Sequence, residues 1–466
     1  MNENNDNDSI KKLKNYEVLI PKKKDNNNND DNNSLSDVEK MILKNNNLLN
    51  QNQFKNKIII LLIIIIIIFF LLIIGLILYG FLRYHKNHDN QSNNNKDTEG
   101  MENCSDFDKT EKICKRCYIG FKLEEGKCII NYSFKAEYQT VKVNETINIS
   151  NLMPGSFIEM IIDNSTLDSP TNDIMFPLPG KHTVYALIKK YGYNYMTGMF
   201  AQIHSLISIS FTEIFDTKNI NKMDYFFFNC SNLRSVDLSK LNTMNLFTTS
   251  AMFYHCLNLT SINLTNFNAS KISDMSYMFE GCIYLTSIDL SSFKTKVLQK
   301  ADFMFSECIR LTFLNLSSFN TENLEYTNSM FANCIKLTSL ILTNFNTKNV
   351  INMNCMFYNC QNLLSLDLSN FDVKNVINME NMFNKCQQVT SLNLSNFNIS
   401  KVENMDGMFY NCSQLNILDI SSFKNGTGKK INIYDGISKS GKIRVQRDFW
   451  ELINSQFENW EPIIVE

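Results

Sequence analysis

Cysteine recurs at Cys230, Cys256, Cys282, Cys308, Cys334, Cys360, Cys386 and Cys412, and every interval is 26 residues. The rest of the pattern keeps step. Met-Phe pairs precede seven of these cysteines by four and three residues, from Met252-Phe253 to Met408-Phe409. Aliphatic residues follow by three, six and eight, as at Leu363, Leu366 and Leu368, and a phenylalanine follows by eleven from Phe267 to Phe423. Self-similarity at a fixed period specifies a solenoid, in which each unit buries its apolar face against its neighbours and none is stable alone.

Two periodicities alternate within a unit. Leu366 and Leu368 are two apart, which predicts a short strand that turns Asp367 to the opposite face. Val376, Met379, Met382, Phe383, Cys386 and Val389 step by three or four, which predicts one stripe of an amphipathic helix. The expected fold class is therefore an α/β solenoid of the leucine-rich-repeat type over residues 193–423. Its 26-residue strand–helix units would form a parallel sheet on the concave face with helices outside. Met199-Phe200, Leu206, Ile209 and Phe211 fit one further unit, with Phe215 one residue late, as suits a capping repeat. Residues 424–466 are expected to close the other end with a short strand pair followed by an amphipathic helix, using Phe449, Leu452 and Trp460.

One local extreme stands before the repeats. Residues 58–82 contain 25 residues without a charge. As a helix they would span roughly 37 Å against a hydrocarbon core of ~30 Å, which predicts a transmembrane helix. A cleaved signal peptide has an apolar core of only ~7–15 residues. Residues 1–57 hold 17 Asn and no hydrophobic periodicity, and are expected to be a disordered cytoplasmic tail. All 13 cysteines and many Asn-x-Ser/Thr sequons follow the apolar segment. The expected topology is thus a single-pass type II protein at the plasma membrane, with a polar stalk at 83–103 and the C-terminal bulk at the cell surface. Asn131, Asn144, Asn148 and Asn164 are glycosylation candidates. Lys plus Arg number 45 and Asp plus Glu 47, so no excess of charge points to nucleic acid, and no such partner is expected. The abundance of Asn, Ile and Lys reads as the imprint of an AT-rich coding sequence.

Between 104 and 130 lie Cys104, Cys114, Cys117 and Cys128. Four cysteines in a core-poor stretch predict two disulfides, with a single tetrahedral zinc as the alternative reading. No metal or cofactor is expected. Residues 131–192 alternate in strand fashion at Val141, Val143, Ile147 and Ile149 and again at Val184, Ala186 and Ile188, predicting a small β-rich domain.

The unit MFYNCQNLLSLDLSNFDVKNVINM from Met356 resembles the repeat of BspA-like leucine-rich-repeat surface proteins, also catalogued as a mycoplasma-type domain of unknown function. The resemblance covers about 199–423 and implies surface display and adhesion to host or matrix proteins, without catalytic residues. Cys114, Cys117, Gly120, Phe121, Leu123 and Cys128 resemble the small units of growth-factor-receptor-like cysteine-rich regions.

Candidate sites follow from the columns. Asp237, Asn263, Asp289, Asn315, Asp367, Asn393 and Asp419 should line up ~4.8 Å apart on the concave sheet, interrupted by Ile341. Such a ladder suits glycan or protein contact, and hydrogen bonding between rungs is the structural alternative. Asn263, Asn315 and Asn393 also lie in sequons, a competing use. The eight-cysteine column is expected to be buried free thiols, since convex-side helices ~8–10 Å apart lie too far for bridges, while Cys355 lies off the stripe and is expected to be exposed. His182, His204 and His255 lie far apart in the chain with no Ser or Asp constellation expected around them, and phosphate-loop and nucleophile-elbow motifs are missing, so no enzyme is expected. The expected function is cell-surface adhesion or recognition of an extracellular protein or glycan. The alternatives are a structural coat protein and a receptor signalling through its tail.

Overall fold

The structure is a computed structural model that describes residues 104–108, 113–117, 121–124, 127–189, 196–424, 436–457 and 459–465. Every described residue lies within the unit Thr98–Glu466. The apolar stretch 58–82 and the tail 1–57 lie outside the described residues. Among the described residues no helix is long and apolar enough to cross a membrane. The expected single-pass anchor, type II topology and plasma-membrane location are therefore corrected: the structure supplies no spanning helix to carry them.

The strand half is present in six of the eight cysteine units; at 287–289 and 365–367, where the sequence pattern predicts strands beside Leu290 and around Leu366 and Leu368, none forms and the parallel sheet is interrupted. Three-residue strands such as Ser235–Asp237 and Ser261–Asn263, Phe313–Asn315 and Ser339–Ile341 pair in parallel with a shift of one 26-residue coil, as in Val236 opposite Ile262. The expected helix is not. The Met-Phe segment is a chain of turns, and the one α-helix among the described residues is Arg447–Ile453 near the C-terminus. The fold is a β-solenoid, which corrects the α/β strand–helix expectation.

Hydrogen bonding explains the difference. An α-helix sends each N–H to the carbonyl four residues back. Here alternate donors leave the coil: the N–H groups of Thr249, Ala251, Phe253 and His255 go to the carbonyls of Asp274, Ser276, Met278 and Glu280 in the next coil. The donors between them, Met252, Tyr254 and Cys256, bond three residues back to Thr249, Ala251 and Phe253. This arrangement needs a left-handed residue at two places per coil. Ala251 and His255 have φ of 54° and 53°, and the same pair of positions is left-handed through Asn381 and Lys385 and Gly407 and Asn411. The second of these columns carries Asn229, Gly281, Asn333, Asn359 and Asn411, the residue types that tolerate this region. A second parallel ladder, one bridge wide, runs from Lys222 through Thr248, Asp274, Lys300, Tyr326, Asn352 and Asn378 to Asn404.

Identical side chains therefore stack. Phe227, Phe253, Phe279, Phe305, Phe331, Phe357, Phe383 and Phe409 form one column, with ring centroids 5.4 to 5.9 Å apart and planes within 16° of parallel. All are fully buried, as are the methionines and cysteines of the same segment. Buried Thr217, Thr243, Thr321 and Thr347 each donate a hydroxyl to a carbonyl 25 residues on, and accept that residue's N–H in return.

Both ends are covered. Phe134–Thr140 pairs antiparallel with Gly180–Ile188 on one side and with Leu206–Phe211 of the first coil on the other. The β-rich segment thus extends the solenoid's own sheet, its buried Phe134, Ala136 and Tyr138 facing the core at period two. At the far end Ile417–Ile420 pairs in parallel with Gly441–Gln446, which pairs in parallel with Trp460–Val465, and the helix lies between the last two strands in sequence. Phe449 sets its ring edge on Phe423 at 5.6 Å, and Trp460 is buried.

The left-handed turns give a direct test. Asn229→Gly should leave stability nearly unchanged, whereas Asn229→Val should cost about 1–2 kcal/mol in urea unfolding. A helix would rank the two substitutions the other way, because glycine is the poorer helix former.

Candidate functional site

Asp237, Asn263, Asn315, Asn393 and Asp419 of the polar column lie on strands, Asp289 and Asp367 lie at the same register where no strand forms, and each member has a local duty. The Oδ1 atoms of Asp237, Asn263, Asp289, Asn315, Asp367, Asn393 and Asp419 accept the N–H two residues on, at 2.9 to 3.1 Å. These are Asx turns that bend the chain out of the strand. Asn263, Asp289, Asn315, Asp367 and Asn393 remain exposed, and Asp237 and Asp419 are half-buried. The Ser291 and Ser369 N–H groups hold the carboxyls of Asp289 and Asp367 below their usual range. Arg444 of the C-terminal cap reaches Asp419 at 3.6 Å.

The eight column thiols are buried and free. Sequence reasoning kept them apart by helix spacing, but with no helices present the coils stand only ~4.8 Å apart, within reach of a disulfide. Each thiol instead donates to a carbonyl of the preceding coil, from Cys230 to Phe200 at 2.8 Å through Cys412 to Phe383 at 3.0 Å. Burial pushes Cys230, Cys360 and Cys412 up to about 12 and raises the other five well above an ordinary thiol. They are therefore unreactive at neutral pH. Cys355, expected to be exposed, is half-buried, and burial followed by the Glu380 charge raises it to about 11.

In the small module Cys117 and Cys128 form a disulfide, and Cys114 is also disulfide-bonded. Cys104 begins the strand Cys104–Asp108. The sulfurs of Cys114, Cys117 and Cys128 lie within 4.8 Å of one another, a spacing that could suit a metal. As disulfide sulfurs, however, they offer no thiolate to one. Of the glycosylation candidates, Asn144 and Asn164 are exposed in left-handed turns. Asn131 and Asn148 donate their amides to Glu159 and Asp173.

One constellation was missed. His182 contacts Asp163 Oδ2 through Nδ1 at 2.6 Å and Thr140 Oγ1 through Nε2 at 3.0 Å, a carboxylate–imidazole–hydroxyl line assembled from 42 residues of chain. Its third member is 1% exposed, and the Thr140 hydroxyl accepts the Gly180 N–H. A nucleophile so enclosed cannot meet a substrate, and the arrangement pins the turn before Gly180–Ile188. Sequence could not show it, because the partners come from three separated segments.

The surface column beside the Met-Phe core was missed as well. Tyr225, Phe228, Tyr254, His255, Tyr277 and Phe303 form an unbroken run of ring contacts, among them Phe228 on Tyr254 at 4.8 Å, Tyr254 on His255 at 4.1 Å and Tyr277 on Phe303 at 5.0 Å. Tyr225 is 46% and Tyr277 37% exposed. Carboxylates border the run. Burial and then the Glu307 charge raise Glu280 to about 7, and burial raises Asp224 and Asp302. Tyr254 and Tyr277 are raised by burial and then by these neighbouring charges. The signal for this column was readable: unlike the core positions, these vary from coil to coil, and the aromatic members cluster in the first four.

Residues 194–311, 249–343 and 338–440 match the family described as "Mycoplasma protein of unknown function, DUF285". Together these stretches span more than half of the chain. The chain belongs to this family. The DUF285 match takes in every left-handed pair and every column thiol described above, so the solenoid and the family region coincide. A search of curated proteins finds no match to the chain.

Two solution measurements follow from these geometries. Among the nine free thiols of the described residues, only Cys355 should react with a thiol reagent in the native protein, its rate climbing about ten-fold per pH unit below 11, while all nine react on unfolding. Rapid native labelling of the column would contradict its burial. Glu280 keeps in the folded state a proton that the unfolded chain releases, so its contribution to stability falls as pH rises from about 4.5 to 7. Glu280→Gln should remove that slope from thermal melts recorded across the window.

Proposed function

We propose that this DUF285 protein is a recognition or adhesion protein whose strand face takes an extracellular protein or glycan ligand, without chemistry of its own. The observation that carries this reading is the row of exposed Asx side chains, each held in one orientation by its own turn. Ordering a free side chain on binding costs ~0.5–1.5 kcal/mol. Groups already fixed avoid most of that cost, and their remaining lone pairs and amide hydrogens face solvent. The resemblance of the repeat to BspA-like surface proteins supports the same reading. So does the disulfide-stapled segment before the solenoid, since such bonds persist in oxidising compartments. That segment would serve as a spacer of the growth-factor-receptor-like kind.

The test exchanges the functional groups but keeps the turns. Serine supports the same turn through its hydroxyl, so Asp289→Ser, Asn315→Ser and Asp367→Ser combined should leave the melting temperature within a few degrees of wild type. Binding of the triple variant to a glycan array and a matrix-protein panel should fall at least ten-fold for any ligand the wild type holds. Unchanged binding by a stable variant would favour a structural role for the column.

A further inference from the structure

The aromatic run beside the Met-Phe core lies on different columns from the strand face, and its chemistry points to another kind of partner. Five rings and the imidazole of His255 make a half-exposed apolar strip across four coils. Glu280, Glu307, Asp274 and Asp302 stand close enough to perturb the tyrosine hydroxyls electrostatically. Among the described residues none of these four carboxylates has a Lys or Arg ion-pair partner. Lys222 lies over Phe247 at 5.4 Å, and Lys300 lies over Tyr326 at 5.9 Å while also acting electrostatically on Asp302. The Glu280 carboxylate even keeps one buried oxygen, Oε2, without a hydrogen-bond partner.

Farther along the same columns the chain shows what such a surface accepts. Lys385 places its ammonium 5.3 Å from the Tyr358 ring centre and donates to Tyr358 Oη at 3.1 Å. Tyr254 occupies the position of Tyr358 four coils earlier in the column; there Gly281 stands in place of Lys385, and the His255 imidazole, stacked on Tyr254 at 4.1 Å, fills the space. The first coils thus present rings and carboxylates, with His255 in the place that Lys385 takes later in the column. Cation–π contact with the exposed Tyr225 and Tyr277 and charge pairing with the carboxylates both favour a basic side chain from a partner.

We propose that this strip is a docking surface for an Arg- and Lys-rich segment of a partner protein, whose cationic groups lie against the rings and pair with Glu280, Glu307 and Asp302. The surface is independent of the strand-face reading, and either can fail alone.

The experiment measures binding of fluorescent oligo-arginine, oligo-lysine and oligo-glutamate peptides to the full chain by anisotropy. The basic peptides should bind, more weakly as salt is raised. Glu280→Gln with Glu307→Gln should weaken them about ten-fold, while the charge-matched pair Glu322→Gln with Glu403→Gln on other columns should not. Tyr254→Ala should weaken them too, and the near-isosteric amide pair keeps the test valid if that variant fails to fold. The proposal is overturned if the basic peptides do not bind, if oligo-glutamate binds equally, or if the two charge-matched pairs behave alike.

Discussion

Alternate backbone donors that leave one coil for the next are the constraint on which the solenoid depends. Because Thr249, Ala251, Phe253 and His255 all bond 25 residues onward, neighbouring coils are locked at strand spacing along the Met-Phe segment as well as along the short strands. That spacing brings like side chain over like side chain. The phenylalanine stack, the threonine bridges and the thiol-to-carbonyl bonds all follow from it, and each satisfies or buries a group that a lone coil would leave in water. The two left-handed residues per coil are the local condition that makes the pattern possible.

Asparagine carries much of this construction. It occupies left-handed positions at Asn229, Asn333, Asn359 and Asn411. It closes Asx turns at Asn263, Asn315 and Asn393, and it ties coils together where Asn349, Asn344 and Asn370 donate to carbonyls 27 residues back. A composition that reads as coding background is, inside the repeats, a set of backbone hydrogen-bonding parts. This changes how a surface column is weighed. A regular polar column serves the fold first and a ligand second, whereas irregular clusters, such as the aromatic residues and carboxylates of the first coils, owe less to the repeat.

The helix reading failed for a definable reason. Apolar steps of three and four at Val376, Met379, Met382, Phe383 and Cys386 are what a helix stripe requires, but successive three-residue turns place the same residues inside. Asn and Gly directly before the cysteine were the contrary signal, since neither suits a helix interior. The His182 line and the extension of the solenoid sheet by Phe134–Thr140 had no comparable signal, because both join segments whose spacing in the chain says nothing of their distance in space.

From the amino-acid order alone came the number of coils, their 26-residue length, the buried columns and most of the short strands. All of these depend on which residues repeat and at what interval. Only the tertiary structure decided whether the segment between strands bonds to itself or to its neighbour, since both choices bury the same stripe and the free energy that separates them lies in contacts between coils. It likewise decided which surface groups are spent on turns and which stand unpaired, because a side chain's partners are set by the chain folded against it and not by its own place in the repeat.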